Sequence, residues 1–273
     1  MIREFSKLDA EANKFCQHPP FAASLESSYS APMPPPSLPS HLSYKSSLVL
    51  IPTTAIQEPI QSIRRKHDIQ FHRWPPHINL IYPFLSSPSS NALGTDGETA
   101  LQTSNLVEFP VLSRIRKATR DIPPFTLRLS ANPPGTFLHS KRNATVWLRP
   151  VDKNNVTTPD HKANPAGASA ALLQLQTALQ TEFSECNADT RPFNPHLSIG
   201  QASGAKAAES LAEEVRSTVE DFLARESKGS KDAIRPGDAD LMWHVDRVIV
   251  IERSGYHNPF RIVGDIELGW GKP

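Results

Sequence analysis

Two short stretches of the chain carry residue types suited to acid–base chemistry. Pro76-His77-Ile78-Asn79-Leu80 and Pro195-His196-Leu197-Ser198-Ile199 share one pattern, Pro-His-apolar-polar-apolar. In a β-strand, residues i and i+2 point to the same face. Each copy therefore sets a histidine beside a small polar side chain and turns its aliphatic residues the other way. Imidazole titrates near neutral pH, so two of them in one cleft can divide the work. A neutral ring takes a proton while a protonated ring gives one. The chain has 10 histidines, so one such stretch would carry little weight alone. The shared proline, the matching pattern and the similar upstream context single out the pair.

The surrounding sequence predicts the elements that position these stretches. Ser47 to Pro52 is a short apolar run ended by proline, a buried strand. Thr54 can cap a helix in which Ile56, Ile60, Ile63 and His67 fall at helical spacing. Arg64, Arg65 and Lys66 fill its last turn and read as a solvated helix end. Phe71 to Pro76 then leads into the first histidine strand, which runs to Phe84. Residues 85–105 have loop composition. Phe109 to Arg120 reads as a helix, and three strands follow: Phe125 to Leu129, Thr136 to His139 and Ala144 to Leu148. Asn132-Pro133-Pro134-Gly135 is a turn signal between the first two. Residues 150–166 read as a linker. A helix from Ala168 to Phe183 carries Leu172, Leu175, Leu179 and Phe183 on one stripe. Arg191 to Pro195 leads into the second histidine strand, and a helix from Ala205 to Arg225 follows. A charged loop spans 226–239. Trp243 to Ile251 and Phe260 to Leu268 are the last two strands.

Each half thus runs helix, extended aromatic-proline segment, histidine strand, helix, antiparallel strands, which is an internal duplication. The fold class expected is α+β: a bilobal, duplicated fold with two small antiparallel sheets facing a central cleft and helices outside. Lobe one would span about 45–150 and lobe two about 166–270. Residues 1–44, rich in Pro and Ser, read as a flexible N-terminal segment.

Composition narrows the function classes. The formal net charge is +1, so no strong global field draws nucleic acid or a membrane, and phosphate recognition must be local. Two cysteines, Cys16 and Cys186, give neither a disulfide framework nor a structural zinc site. No apolar run reaches membrane-spanning length, and the charged N-terminus lacks the apolar centre of a signal peptide. These features suggest an intracellular protein, cytoplasmic or nuclear, with no membrane partner. A monomer without cofactor or metal is the expected form. Phosphate loops, dinucleotide fingerprints, nucleophile elbows and His-Glu-x-x-His spacing are all missing from the sequence. Two further residues are candidates for substrate contact. His139 sits in the meander within reach of the cleft, and Tyr256 lies in the loop from Arg253 to Pro259, where a ring can stack on a base. His244, two residues before Asp246, reads as a strand-edge histidine. Trp74 and Trp147 read as core.

The paired motifs resemble the 2H phosphoesterase superfamily, which includes the 2′-5′ RNA ligase-like and cyclic phosphodiesterase proteins and is named for two His-x-Thr/Ser-x motifs. His196-Leu197-Ser198-Ile199 fits the motif; His77-Ile78-Asn79-Leu80 fits except that Asn79 stands where Thr or Ser is usual. The flanks, Arg73 to His77 through Phe84 and Phe193 to His196 through Gly200, resemble a fungal-type branch. The resemblance covers about residues 45–270. It implies metal-free chemistry at a phosphodiester, on a nucleotide or RNA end bearing a 2′,3′-cyclic or 2′-5′ phosphodiester. One of His77 and His196 would deprotonate water and the other would protonate the leaving ribose oxygen, in either assignment. Asn79 and Ser198 would bind non-bridging phosphate oxygens. The alternative is a module that binds such an end in the same cleft without cutting it.

Overall fold

The computed structural model describes residues 38–90, 110–151, 169–189, 191–227 and 239–269. The N-terminal segment to residue 37, most of the two loops at 85–105 and 226–239, and most of the 150–166 linker lie outside the described residues.

In order, the elements are β1 (Leu42–Ser43), β2 (Ser46–Leu50), α1 (Thr54–His67), β3 (Ile78–Ile81), β4 (Phe84–Leu85), α2 (Pro110–Thr119), β5 (Phe125–Ser140), β6 (Asn143–Val151), α3 (Ala170–Glu182), a 3-10 turn (Ser184–Cys186), β7 (Leu197–Ala202), α4 (Ala205–Glu226), β8 (Asp240–Val245), β9 (Arg247–Glu252) and β10 (Arg261–Glu267). The fold is α+β, with two four-stranded antiparallel sheets ordered β10-β9-β2-β3 and β7-β6-β5-β8, and a small β1-β4 ribbon.

The two sheets are built alike. Each ends on a histidine strand, β3 or β7, and each of these pairs with one inner neighbour, β2 or β6. The connecting helices cross over. Helix α1, between β2 and β3, packs on β7 of the other sheet, and α3, between β6 and β7, packs on β3. The halves of the sequence therefore do not map onto separate lobes. The first sheet takes β2 and β3 from the N-terminal half and β9 and β10 from the C-terminal end. The lobe boundaries expected at 45–150 and 166–270 do not describe the sheets. One continuous cluster of buried side chains unites both sheets and the four described helices, including Ile60, Ile78, Leu129, Leu148, Leu175, Ile199 and Val215.

The helices form because their apolar residues recur on one face. Ile56, Ile60 and Ile63 of α1 are buried, as are Leu172, Leu175 and Leu179 of α3 and Leu211, Val215, Val219 and Phe222 of α4. Burying one such side chain contributes about 1.5–3 kcal/mol. The exposed ion pair between Lys66 and Glu214, which joins α1 to α4 at 3.1 Å, contributes less than about 1 kcal/mol. Aliphatic burial, not surface charge, decides where α1 lies.

Three expectations change. The segment 125–140 is one long strand, not two strands and a turn. Its register with β6 breaks between Ser130 and Gly135, so the Pro-Pro-Gly segment makes an irregularity within the strand. Two prolines remove two ladder donors there, and pairing resumes beyond them. Gly135 is needed at that point, because a Cβ on it would meet the Trp147 ring at 2.1 Å. The strand expected from Trp243 to Ile251 divides at Asp246: β8 pairs with β5, whereas β9 pairs with β2 and β10. The basic run at the end of α1 is not wholly solvated, since Arg64 is only 2% exposed.

Candidate active site

His77 and His196 each stand one residue before their strands, and Asn79 and Ser198 are the second residues of those strands. The alternation follows the pleat. Ile78, Leu80, Leu197 and Ile199 are buried in the main core, while His77, Asn79, His196 and Ser198 line one narrow recess of about 40 Å³. Trp74, Thr145 and Gln201 also line it.

The same backbone device orients both imidazoles. His77 Nδ1 lies 2.8 Å from the Pro75 carbonyl oxygen, and His196 Nδ1 lies 2.9 Å from that of Asn194. A carbonyl only accepts, so each Nδ1 carries its hydrogen and donates it. Nε2 is then the nitrogen that exchanges a proton with a ligand. The X-Pro-His lead-ins, Pro75-Pro76-His77 and Asn194-Pro195-His196, place an acceptor two residues before each ring.

The walls behind the rings differ. Trp74 stacks flat on His77, centroids 4.7 Å apart and 13° between planes. Trp74 belongs to a second apolar cluster with Val49, Ile249, Ile251 and Phe260. His196 instead meets Phe137 edge-on at 5.1 Å and Trp147 at 6.0 Å, and those two rings stack on each other. Both tryptophans are buried, as expected of core, and each also supports a histidine.

Arg64 holds the approach to His77. Its guanidinium pairs with Asp68 at 2.7 Å and donates to the Trp74 carbonyl at 2.9 Å, with both partners of the ion pair buried. Asp68 in turn accepts from the Gln70 backbone N–H. These bonds pin the segment from Asp68 to Trp74 against α1. The backbone N–H of Ile69 donates to Gln201 Oε1 at 2.9 Å, which ties this segment to β7.

Both imidazoles are lowered from their ordinary value. Burial away from water pulls His77 down to about 3 from its ordinary 6.5, and the nearby charges of Arg64 and His196 add to this, against the Pro75 hydrogen bond. Burial also lowers His196, with Arg191 and His139 contributing in the same sense and the Asn194 hydrogen bond opposing.

A larger chamber of about 620 Å³ adjoins the recess and shares Asn79 and His196 with it; Tyr44, Tyr82, Gln176 and Gln180 help line its walls. Cys186 lines it too, but burial pushes this thiol up to about 12, which removes it as a thiolate nucleophile at neutral pH.

The other expected contact residues lie further out. His139 Nε2 is 2.9 Å from Thr145 Oγ1, so it reaches the recess through Thr145. Tyr256 is 51% exposed, stands over the Arg253 guanidinium at 5.4 Å and lines neither cavity. His244 is exposed on β8 opposite Thr126. Arg64, Thr145 and Gln201 escaped sequence reasoning. Gln201 has a detectable signal, lying beyond Ser198 on the same strand, whereas Arg64 looks like any helix-end cation. Among the described residues no group of three or more His, Cys, Asp or Glu side chains converges to hold a metal ion, and no helix is long and apolar enough to cross a membrane.

Residues 52–257 match the family model described as the 2′-5′ RNA ligase superfamily. The chain belongs to this superfamily. Membership supports a phosphodiesterase-type function. Among solved structures, E. coli LigT complexed with 3′-AMP is 18% identical with a TM-score of 0.43, covering 82% of this chain and 98% of that one. LigT in its apo form is 18% identical with a TM-score of 0.44, covering 84% and 99%. TT0787 of Thermus thermophilus is 14% identical with a TM-score of 0.40, covering 82% and 97%. No curated protein matches the chain.

Proposed function

We propose that this chain hydrolyses a phosphodiester on a nucleotide or RNA end, a 2′,3′-cyclic phosphate or a 2′-5′ linkage, with His77 as general base and His196 as general acid. The observation that carries the reading is the convergence of two identically oriented imidazoles, each with a hydrogen-bonding side chain two residues on, at one narrow recess. The recess has room for a phosphate but not a nucleoside. The adjoining chamber, of a size common for small-molecule sites, would take the nucleoside.

The chemistry balances without a covalent intermediate. His77 Nε2 takes a proton from water as its oxygen bonds to phosphorus. The bond from phosphorus to the ribose oxygen breaks, and His196 Nε2–H gives its proton to that oxygen. The products are a phosphomonoester and a free hydroxyl. Asn79 N–H and Ser198 O–H donate to the non-bridging oxygens, where charge gathers in the transition state. His77 is assigned as base because burial and the Arg64 cation both disfavour its protonated form. The anionic phosphate raises both imidazoles on binding, and we assign His196, whose neighbour Arg191 pairs with Asp189 at a solvent-exposed position, as the one that takes up the proton.

One observation favours a second reading, a module that binds an RNA or nucleotide end without cutting it. Both histidines are lowered, and an acid is required for turnover. Hydrolysis of the four nucleoside 2′,3′-cyclic phosphates with EDTA present separates the two. Turnover by wild type that is lost in His196→Ala supports the enzyme. Tight binding of the product monophosphate without turnover supports the module.

A further inference from the structure

We propose that Ser47 is a positioning residue that fixes which end of the Asn79 amide faces the phosphate; this rests on the functional reading above. The family motif has a hydroxyl at this place, and here there is an amide. A hydroxyl turns its hydrogen toward whatever anion is present. A primary amide has a donor end and an acceptor end, and it helps a phosphate only when the donor end faces it.

Ser47 lies on β2, next to β3, and is 0% exposed. Its Oγ is 2.7 Å from Asn79 Oδ1 and 3.2 Å from the Ile81 carbonyl oxygen. It has one hydrogen and two acceptors to choose between. The shorter distance is ordinary for O–H···O, and the longer one lies outside the usual range for that bond. The hydrogen therefore goes to Oδ1, and Nδ2 with its two hydrogens is left for the recess. Turning the amide over would put Oδ1 lone pairs against the phosphate and send the Ser47 hydrogen to the distant carbonyl. Ser47 and Asn79 together thus supply in the first motif what the Ser198 hydroxyl supplies alone in the second.

The neighbouring Ser46 provides a control. It is equally buried, and its hydroxyl donates to the Leu85 carbonyl at 2.6 Å, away from the recess. Ser46→Ala and Ser47→Ala each remove one buried hydroxyl, but only the second touches Asn79.

The test is a double-mutant cycle on hydrolysis of a nucleoside 2′,3′-cyclic phosphate. Ser47→Ala is expected to lower kcat/KM about tenfold when Asn79 is present, the scale of one lost buried hydrogen bond. In an Asn79→Ala background the same change is expected to cost less than about twofold, since no amide remains to be oriented. Ser46→Ala leaves kcat/KM within about twofold, and Ser47→Thr restores most of the loss. Equal costs of Ser47→Ala in both backgrounds would overturn the proposal. If wild type cuts no phosphodiester, the functional reading fails, and inorganic phosphate decides the positioning role instead. The Asn79 side-chain N–H₂ resonances, identified by their absence in Asn79→Ser, should shift on phosphate addition in wild type and much less in Ser47→Ala. Equal shifts in both would overturn it.

Discussion

The two histidine strands share a frame and differ in what surrounds it. β3 and β7 are both edge strands, each pairs antiparallel with one inner strand, and each imidazole is held by a carbonyl two residues back. Yet His77 lies flat on Trp74 beside a buried arginine, whereas His196 meets the edges of Phe137 and Trp147. The first motif offers an amide and the second a hydroxyl. Duplication thus supplied two equivalent positions, and the packing behind them made the positions unequal. A symmetric frame with asymmetric walls suits the proposed division into base and acid.

The largest expected effect comes from removing either imidazole. His77→Ala and His196→Ala should each reduce kcat/KM on a cyclic phosphate by about 10²–10⁴-fold, measured by product formation. If one variant keeps nearly full activity, the two motifs are not partners. Next are the donors at i+2. Ser198→Ala and Asn79→Ala should each lower kcat by about 10–100-fold, at or below the range for a lost oxyanion donor. Asn79→Ser would sharpen the comparison by making the motifs alike. It should retain activity within about tenfold of wild type if a donor is all that position supplies, in paired kcat and KM measurements.

Arg64→Met is expected to act mainly on stability. It leaves Asp68 buried without its partner, at a cost of about 3–5 kcal/mol in urea denaturation. Arg64→Met with Asp68→Leu should recover much of that loss. The last prediction concerns pH. His77 is lowered in the folded chain relative to its ordinary value of 6.5, so the unfolded chain binds more protons between about 3 and 6.5. Stability should therefore fall as pH drops through that window, by at most about 1.4 kcal/mol per unit for one group. Acid denaturation of His77→Asn, which has no such proton to gain, should begin at lower pH than that of wild type.

The sequence was informative where a local pattern stated the geometry. Alternation around His77 and His196 places both rings, Asn79 and Ser198 on the recess side, and the apolar stripes of α1, α3 and α4 are buried as their spacing requires. Features set by distant partners were not legible. Arg64 sits in a basic run; Asp68, four residues on, is a local partner, but the bond to the Trp74 carbonyl and the burial of the pair come from the fold. Ser47 lies in an apolar strand and gains its meaning from β3. The exchange of β9 and β10 into the first sheet leaves no mark on local composition, because a strand looks the same in either sheet. The long β5 is not legible because Pro-Pro-Gly is a strong turn signal that a strand irregularity can also satisfy. Tyr256 has the ring chemistry for base stacking, but its ring lies by the Arg253 guanidinium and lines neither cavity.

The roles proposed for the two histidines are tested most directly by changing the leaving group. A p-nitrophenyl phosphodiester expels an anion that needs no proton, while its attacking water still needs a base. Wild type, His77→Ala and His196→Ala would be compared on this ester and on a nucleoside 2′,3′-cyclic phosphate. His196→Ala should recover most of its activity on the nitrophenyl ester, and His77→Ala should remain impaired on both substrates. Recovery by His77→Ala instead, or equal loss in both variants on both substrates, would contradict the assignment of His77 as base and His196 as acid.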